Sequence, residues 1–120
     1  MSRIYSYHRV SSILQVESGL GLAAQDRACY KEGCLIAEGS DLLWGEAHFG
    51  DAKRAGQFID YGVSAYKIPF EQRKAGVALL KVLKRGDVLI VHRICRLCRS
   101  SKDYYRIITM LSEMGVRLVV

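Results

Sequence analysis

At 120 residues the chain has the length of one domain that buries a single hydrophobic core without metal or disulfide support. Half of the residues are hydrophobic, a quarter are charged and only one is proline, which argues against long disordered or low-complexity segments. The formal charge of +6 is uneven: residues 1–70 carry 7 Lys and Arg against 8 Asp and Glu, whereas residues 71–120 carry 11 against 4, a distribution that fits either a nucleic-acid partner or a solvated basic face.

No apolar run approaches the roughly 18–20 residues that a membrane span needs. The N-terminus, Met-Ser-Arg-Ile-Tyr-Ser-Tyr, lacks the apolar stretch of a secretory leader. Cys29, Cys34, Cys95 and Cys98 therefore read as reduced thiols of a cytoplasmic protein.

Arg3 to Val10 alternates in part and is rich in Ile, Tyr and Val, which predicts a first strand that Ser11 and Ser12 leave as a loop. Gly19 to Glu32 reads as a helix with Gly33 as its stop. Glycines at 39, 45, 50 and 56 break any long pattern over about residues 34–57, so this stretch reads as an insertion with one short helix at most. Phe58 to Tyr61 is a short strand, and a loop follows through Gly62, Ser64 and Pro69.

From Glu71 onward, Ala75, Ala78, Leu79, Val82 and Leu83 share one face of a helix that Gly86 would stop. Val88 to Val91 is continuously apolar and β-branched, the signature of a strand covered on both faces. After a basic loop from His92 to Arg99, Ser100 or Ser101 caps a second amphipathic helix with Tyr104, Ile107, Ile108, Leu111 and Met114 on its inner face. Gly115 ends it, and Val116 to Val120 begins another strand. Strands alternating with helices predict one α/β domain over residues 1–120 with a central, mostly parallel sheet flanked by helices.

Three ordered stretches carry a family resemblance. Tyr7-His8-Arg9-Val10-Ser11, with Gln15 beyond it, resembles the Tyr-x-Arg-Val-Ser motif of serine site-specific recombinases of the resolvase/invertase family. Phe58-Ile59-Asp60 through Val63-Ser64 and Pro69-Phe70 to Arg73 resembles the family's second strand and mobile loop. Gly86-Asp87 through Val91 to Arg96-Leu97-Cys98-Arg99-Ser100 resembles its later strand followed by Asp-Arg-Leu-Gly-Arg-Ser, and the 13-residue step from Arg73 to Gly86 is kept.

The resemblance implies a three-layer resolvase-like catalytic domain in which Ser11 attacks a DNA phosphate and Arg9, Arg73, Arg96 and Arg99 surround it, with Gln15 as a polar helper. The residue types suit that chemistry. Attack by a hydroxyl on a phosphodiester concentrates negative charge on the non-bridging oxygens, and planar guanidinium groups bind such oxygens in pairs while staying charged. The implied reaction is transesterification through a 5′-phosphoserine link in a dimer or tetramer on DNA, with no metal, nucleotide or other small-molecule ligand. Lys74, Arg93 and Lys102 are the further DNA-contact candidates in the basic half.

Two departures stand inside the third motif: Cys95 occupies the family's acidic position and Cys98 its glycine. The family also continues past the strand at Val116 into further catalytic structure, a dimerisation helix and usually a DNA-binding domain, so the domain is expected to be incomplete at its C-terminus. An inactive recombinase-fold module that binds DNA or a full-length recombinase is therefore the alternative reading. His92, Cys95 and Cys98 form only one half of a zinc site, without a second half at ribbon-like spacing. Gly19-Leu20-Gly21 lacks the remainder of a nucleotide fingerprint.

Overall fold

The computed structural model describes residues 2–10, 22–50, 55–61, 68–94, 97–98 and 100–120, with the backbone alone for Val10, residues 22–25 and Tyr61. Its strands are β1 (Arg3–Val10), β2 (Leu43–Trp44), β3 (Gln57–Tyr61), β4 (Val88–Val91) and β5 (Arg117–Val119); its helices are α1 (Leu22–Glu38), α2 (Lys74–Val82) and α3 (Ser101–Met114). All pairings among these strands are parallel. β1 lies inside the sheet, with β4 and then β5 on one side. Its other edge is shared by β2, opposite Arg3 and Ile4, and β3, opposite Ser6 to Val10.

Alternation along β1 and β4 separates two cores. Ile4, Val88 and Ile90 face α1 and pack with Cys29, Ile36 and Trp44. Tyr5, Tyr7, Leu89 and Val91 face the other way, where Leu79 of α2 and Ile107 and Leu111 of α3 cover them. The result is the expected α/β domain of three layers, helix, sheet and helices. All four residues of β4 are buried, as a strand covered on both faces must be.

The structure corrects four local expectations. Gly33 does not stop α1, which continues to Glu38; a Cβ at Gly33 would lie 2.2 Å from Cζ2 of Trp44, so the glycine makes room for the indole. Residues 34–57 hold the end of α1 and also β2, whose Trp44 stacks on Tyr30 with ring centroids 5.7 Å apart. Gly45 and Gly56 continue the pairing along the same edge, Gly45 N–H donating to Ile4 O at 2.9 Å and Ser6 N–H to Gly56 O at 2.8 Å.

The helix expected from Glu71 is broken. Phe70–Gln72 forms a 3₁₀ turn, Arg73 is extended at φ −74° and ψ 147°, and α2 starts only at Lys74. Leu83, also extended, ends it, and Gly86 at φ 93° shapes the turn into β4 instead of capping the helix. Finally, Tyr104 on α3 is 36 % exposed, because the inner stripe of this helix narrows to Ile107 and Leu111.

The ends of α3 match their sequence signals. Ser100 accepts from Asp103 N–H at 3.1 Å, and Gly115 adopts the left-handed cap at φ 76°. Arg106 pairs with Asp103 at 2.6 Å and with Glu71, tying α3 to the 3₁₀ turn; on an exposed surface such pairs add well under about 1 kcal/mol each.

Candidate active site

Parallel sheets present their chemistry at the carboxyl ends of the strands. Here β1 brings Tyr7 and Arg9 to that end on the face covered by α2 and α3, and the register sets Tyr7 beside Phe58 and Arg9 beside Asp60 of β3. α2 runs back along the sheet, so its N-terminus, with Arg73 as the preceding residue, stands at the same end.

Tyr7, Asp60 and Arg73 form one buried network. The Tyr7 hydroxyl donates to Asp60 Oδ2 at 2.8 Å, and Asp60 Oδ1 accepts from the Ala75 N–H at 2.9 Å. Arg73 donates from Nη1 to the Tyr7 hydroxyl at 3.1 Å, from Nη2 to Leu97 O at 2.9 Å and from Nε to Ile68 O at 3.0 Å.

Each bond has a physical reason. Arg73 offers no side-chain cap to α2, and Asp60 supplies it from the neighbouring strand; a carboxylate also suits the positive end of the helix dipole. Burial pushes the Tyr7 phenol far above its usual range, with Asp60 adding to the rise and Arg73 opposing it. The hydroxyl therefore stays neutral, donating to the Asp60 carboxylate and accepting from the Arg73 guanidinium. Phe70 holds the ring edge-on, with centroids 4.9 Å apart.

Of the residues expected at the site, Arg9 and Arg73 are 2 % and 1 % exposed at this end of the sheet. Lys74 in the first turn of α2, Lys102 in the first turn of α3 and Arg93 after β4 are exposed at the same end. Ser11, Gln15, Arg96 and Arg99 lie outside the described residues, as does Cys95. Cys98 packs in the core beside Leu97 and Cys29 in the core on the opposite face, so the sheet separates them. Lys81, Lys84, Arg85 and Arg117 sit at the far end, where α2 finishes and β4 and β5 begin. The basic half thus divides between the two ends of the sheet.

Sequence reasoning missed the joint role of Tyr7 and Asp60, although both stand in the quoted motifs. The available signal was an acid inside the apolar run Phe58-Ile59-Asp60-Tyr61, because a buried carboxylate requires donors. Also missed was the fully buried pair on the α1 side of β1, Ser6 Oγ and His8 Nε2, hydrogen-bonded at 2.8 Å.

The family model described as "Resolvase, N terminal domain" matches residues 4–120. The chain belongs to the resolvase family. Among solved structures, this resolvase domain is similar to the C-terminal catalytic domain of ISC1926 TnpA, an IS607-like serine recombinase. The identity is 25 % and the TM-score 0.61, over 98 % of this chain and 68 % of the other. A search of curated proteins returned no match. Site-specific recombination is thus the functional class of this resolvase-family domain. No helix among the described residues is long and apolar enough to cross a membrane.

Proposed function

We propose that this resolvase domain cleaves and rejoins DNA strands with Ser11 as the nucleophile. The Ser11 hydroxyl loses its proton and attacks the phosphorus; the bond to the 3′ oxygen breaks and that oxygen leaves as a 3′-hydroxyl. A 3′-hydroxyl from another strand later attacks the 5′-phosphoserine and returns the serine hydroxyl. Arg9, Arg96 and Arg99 hold the non-bridging oxygens, Arg73 belongs to the same site, and Gln15 assists. Work on two duplexes calls for a dimer or tetramer of this chain, or pairing with a full-length recombinase.

The observation that carries this reading is the meeting of two separate motifs, Tyr7 and Arg9 on β1 and Arg73 before α2, at the carboxyl end of one parallel sheet. β1 ends at Val10, immediately before Ser11. Incubation with nicked duplex DNA is expected to trap a covalent protein–DNA adduct that Ser11→Ala abolishes. An adduct that persists in Ser11→Ala would move the nucleophile elsewhere, and no adduct with either protein would favour the inactive binding module.

Binding should follow the division of charge. Removing the cations at the site end, Lys74→Ala with Lys102→Ala, is expected to lower the slope of log affinity against log salt by about 2 if each meets one phosphate. Lys81→Ala with Lys84→Ala should leave the slope near that of the unaltered protein. Equal changes in the two pairs, measured by electrophoretic shift over a salt series, would place the DNA elsewhere.

A further inference from the structure

We infer that Arg73 is a positioning residue and not a ligand of the DNA phosphate: it latches the segment after β4 through the Leu97 carbonyl. This rests on the proposed reading of Arg96 and Arg99 as the phosphate-binding groups.

The guanidinium is 1 % exposed, and its three nitrogens donate to acceptors from three different stretches of chain: Ile68 O ahead of the 3₁₀ turn, the Tyr7 hydroxyl on β1 and Leu97 O after β4. Each nitrogen of the fork is thus engaged within the protein, and the residues around it, Tyr7, Phe70 and Leu97, are fully buried, so the group is held as part of the core and not presented on the surface.

Leu97 is the natural point to hold. It lies next to Arg96 and two residues before Arg99 in the sequence, and its side chain is buried in the core. Its N–H and that of Cys98 both donate to Ile94 O, at 2.9 and 3.1 Å. The backbone between the two arginines is therefore fixed from both sides, by Ile94 through its amides and by Arg73 through its carbonyl. Holding it to within a fraction of an ångström matters, because a misplacement of about 1 Å costs on the order of 100-fold in rate.

The residue type follows. A planar fork reaches three divergent acceptors, whereas the single nitrogen of lysine cannot span them. A buried cation also needs a nearby anion, and Asp60 provides it through the Tyr7 hydroxyl.

The test compares Arg73→Lys with the unaltered protein. Lysine keeps the charge and loses the fork. The latch predicts DNA affinity within about threefold of the unaltered protein, since no phosphate contact is lost. It predicts adduct formation slowed by about 100-fold. It also predicts amide exchange at Leu97 and Cys98 faster by about tenfold or more, with exchange in β4 unchanged.

Unchanged exchange with weakened DNA binding would overturn the proposal and make Arg73 a phosphate ligand. So would near-normal cleavage by Arg73→Lys, which would mean that the charge suffices. Should Arg73→Lys fail to fold, Tyr7→Phe removes one of the three acceptors and should quicken exchange at Leu97 and Cys98 several-fold; unchanged exchange there would equally overturn the latch. The exchange measurement needs no DNA. A protein that forms no adduct at all therefore sinks the nucleophile reading, while the exchange rates still decide the latch.

Discussion

Asp60→Ala is expected to destabilise the domain by about 3–5 kcal/mol, the range for breaking a buried charged network by removing one partner. Asp60 is 4 % exposed, accepts from the Tyr7 hydroxyl and the Ala75 N–H, and is linked to the buried Arg73 guanidinium through that hydroxyl. Alanine removes the cap from the Ala75 amide of α2, the acceptor from the phenol and a negative charge from the surroundings of the guanidinium. Urea unfolding should show a lower midpoint at an unchanged slope.

Tyr7→Phe should cost less than Asp60→Ala, about 1–3 kcal/mol, because it deletes a neutral hydroxyl and leaves the carboxylate on the Ala75 amide. Asp60→Asn should fall between the two, since its amide oxygen replaces one acceptor and no charge. A loss below about 1 kcal/mol in Asp60→Ala would show that this carboxylate is not what balances Arg73.

The second large effect is expected at Gly76, where helix propensity and tertiary structure predict opposite signs. Propensity alone predicts that Gly76→Ala stabilises α2 by about 1 kcal/mol. The packing predicts destabilisation by about 1–3 kcal/mol or more, the cost of forcing extra atoms into a filled site. A Cβ there would lie 2.0 Å from the carbonyl oxygen of Phe70 and 3.0 Å from its carbonyl carbon.

That obstacle is backbone, in a turn whose Phe70 ring is fully buried against Tyr7, so relief requires α2 to move away from the network. Thermal unfolding of Gly76→Ala beside Val77→Ala, an exposed neighbour on the same helix, checks the sign. A melting temperature above that of the unaltered protein would mean that the turn yields easily and that propensity prevails.

Gly76 and Gly33 show why part of the fold was hidden in the sequence. Both are glycines within helices, and the sequence offers two readings for such a residue, a stop or a close approach. The approaching groups, Phe70 O and the Trp44 indole, are brought there by the placement of whole elements. β2 was hidden for a related reason. Two residues carry no periodicity, and Leu43–Trp44 is a strand because the first two residues of β1 leave that edge open for it.

The candidate site was legible to the extent that its residues are close in sequence. Tyr7 and Arg9 on β1, and Arg73 at a fixed step from the next strand, could be picked out as motifs. The partner of Tyr7 could not, since Asp60 is 53 residues away and meets it only because β3 pairs with β1 in one register. A slip of one residue would turn Asp60 to the opposite face.

By itself the sequence determined the kind of protein this is: an α/β domain with a parallel sheet, an amphipathic α3 capped by Ser100 and Gly115, a doubly buried β4, and the ordered motifs of a resolvase-family domain. These follow from interactions within a few residues, where periodicity, caps and spacing act directly. Only the tertiary structure decided that α1 passes through Gly33, that the helix after Pro69 breaks at Arg73, and that Arg73 turns inward to Tyr7 and Leu97. The reason is common to all three. Each depends on a group distant in the chain, the Trp44 ring for Gly33, the Asp60 carboxylate that caps α2 after Arg73, and the Tyr7 and Leu97 acceptors of the Arg73 side chain, whose positions are set when the layers pack and not before.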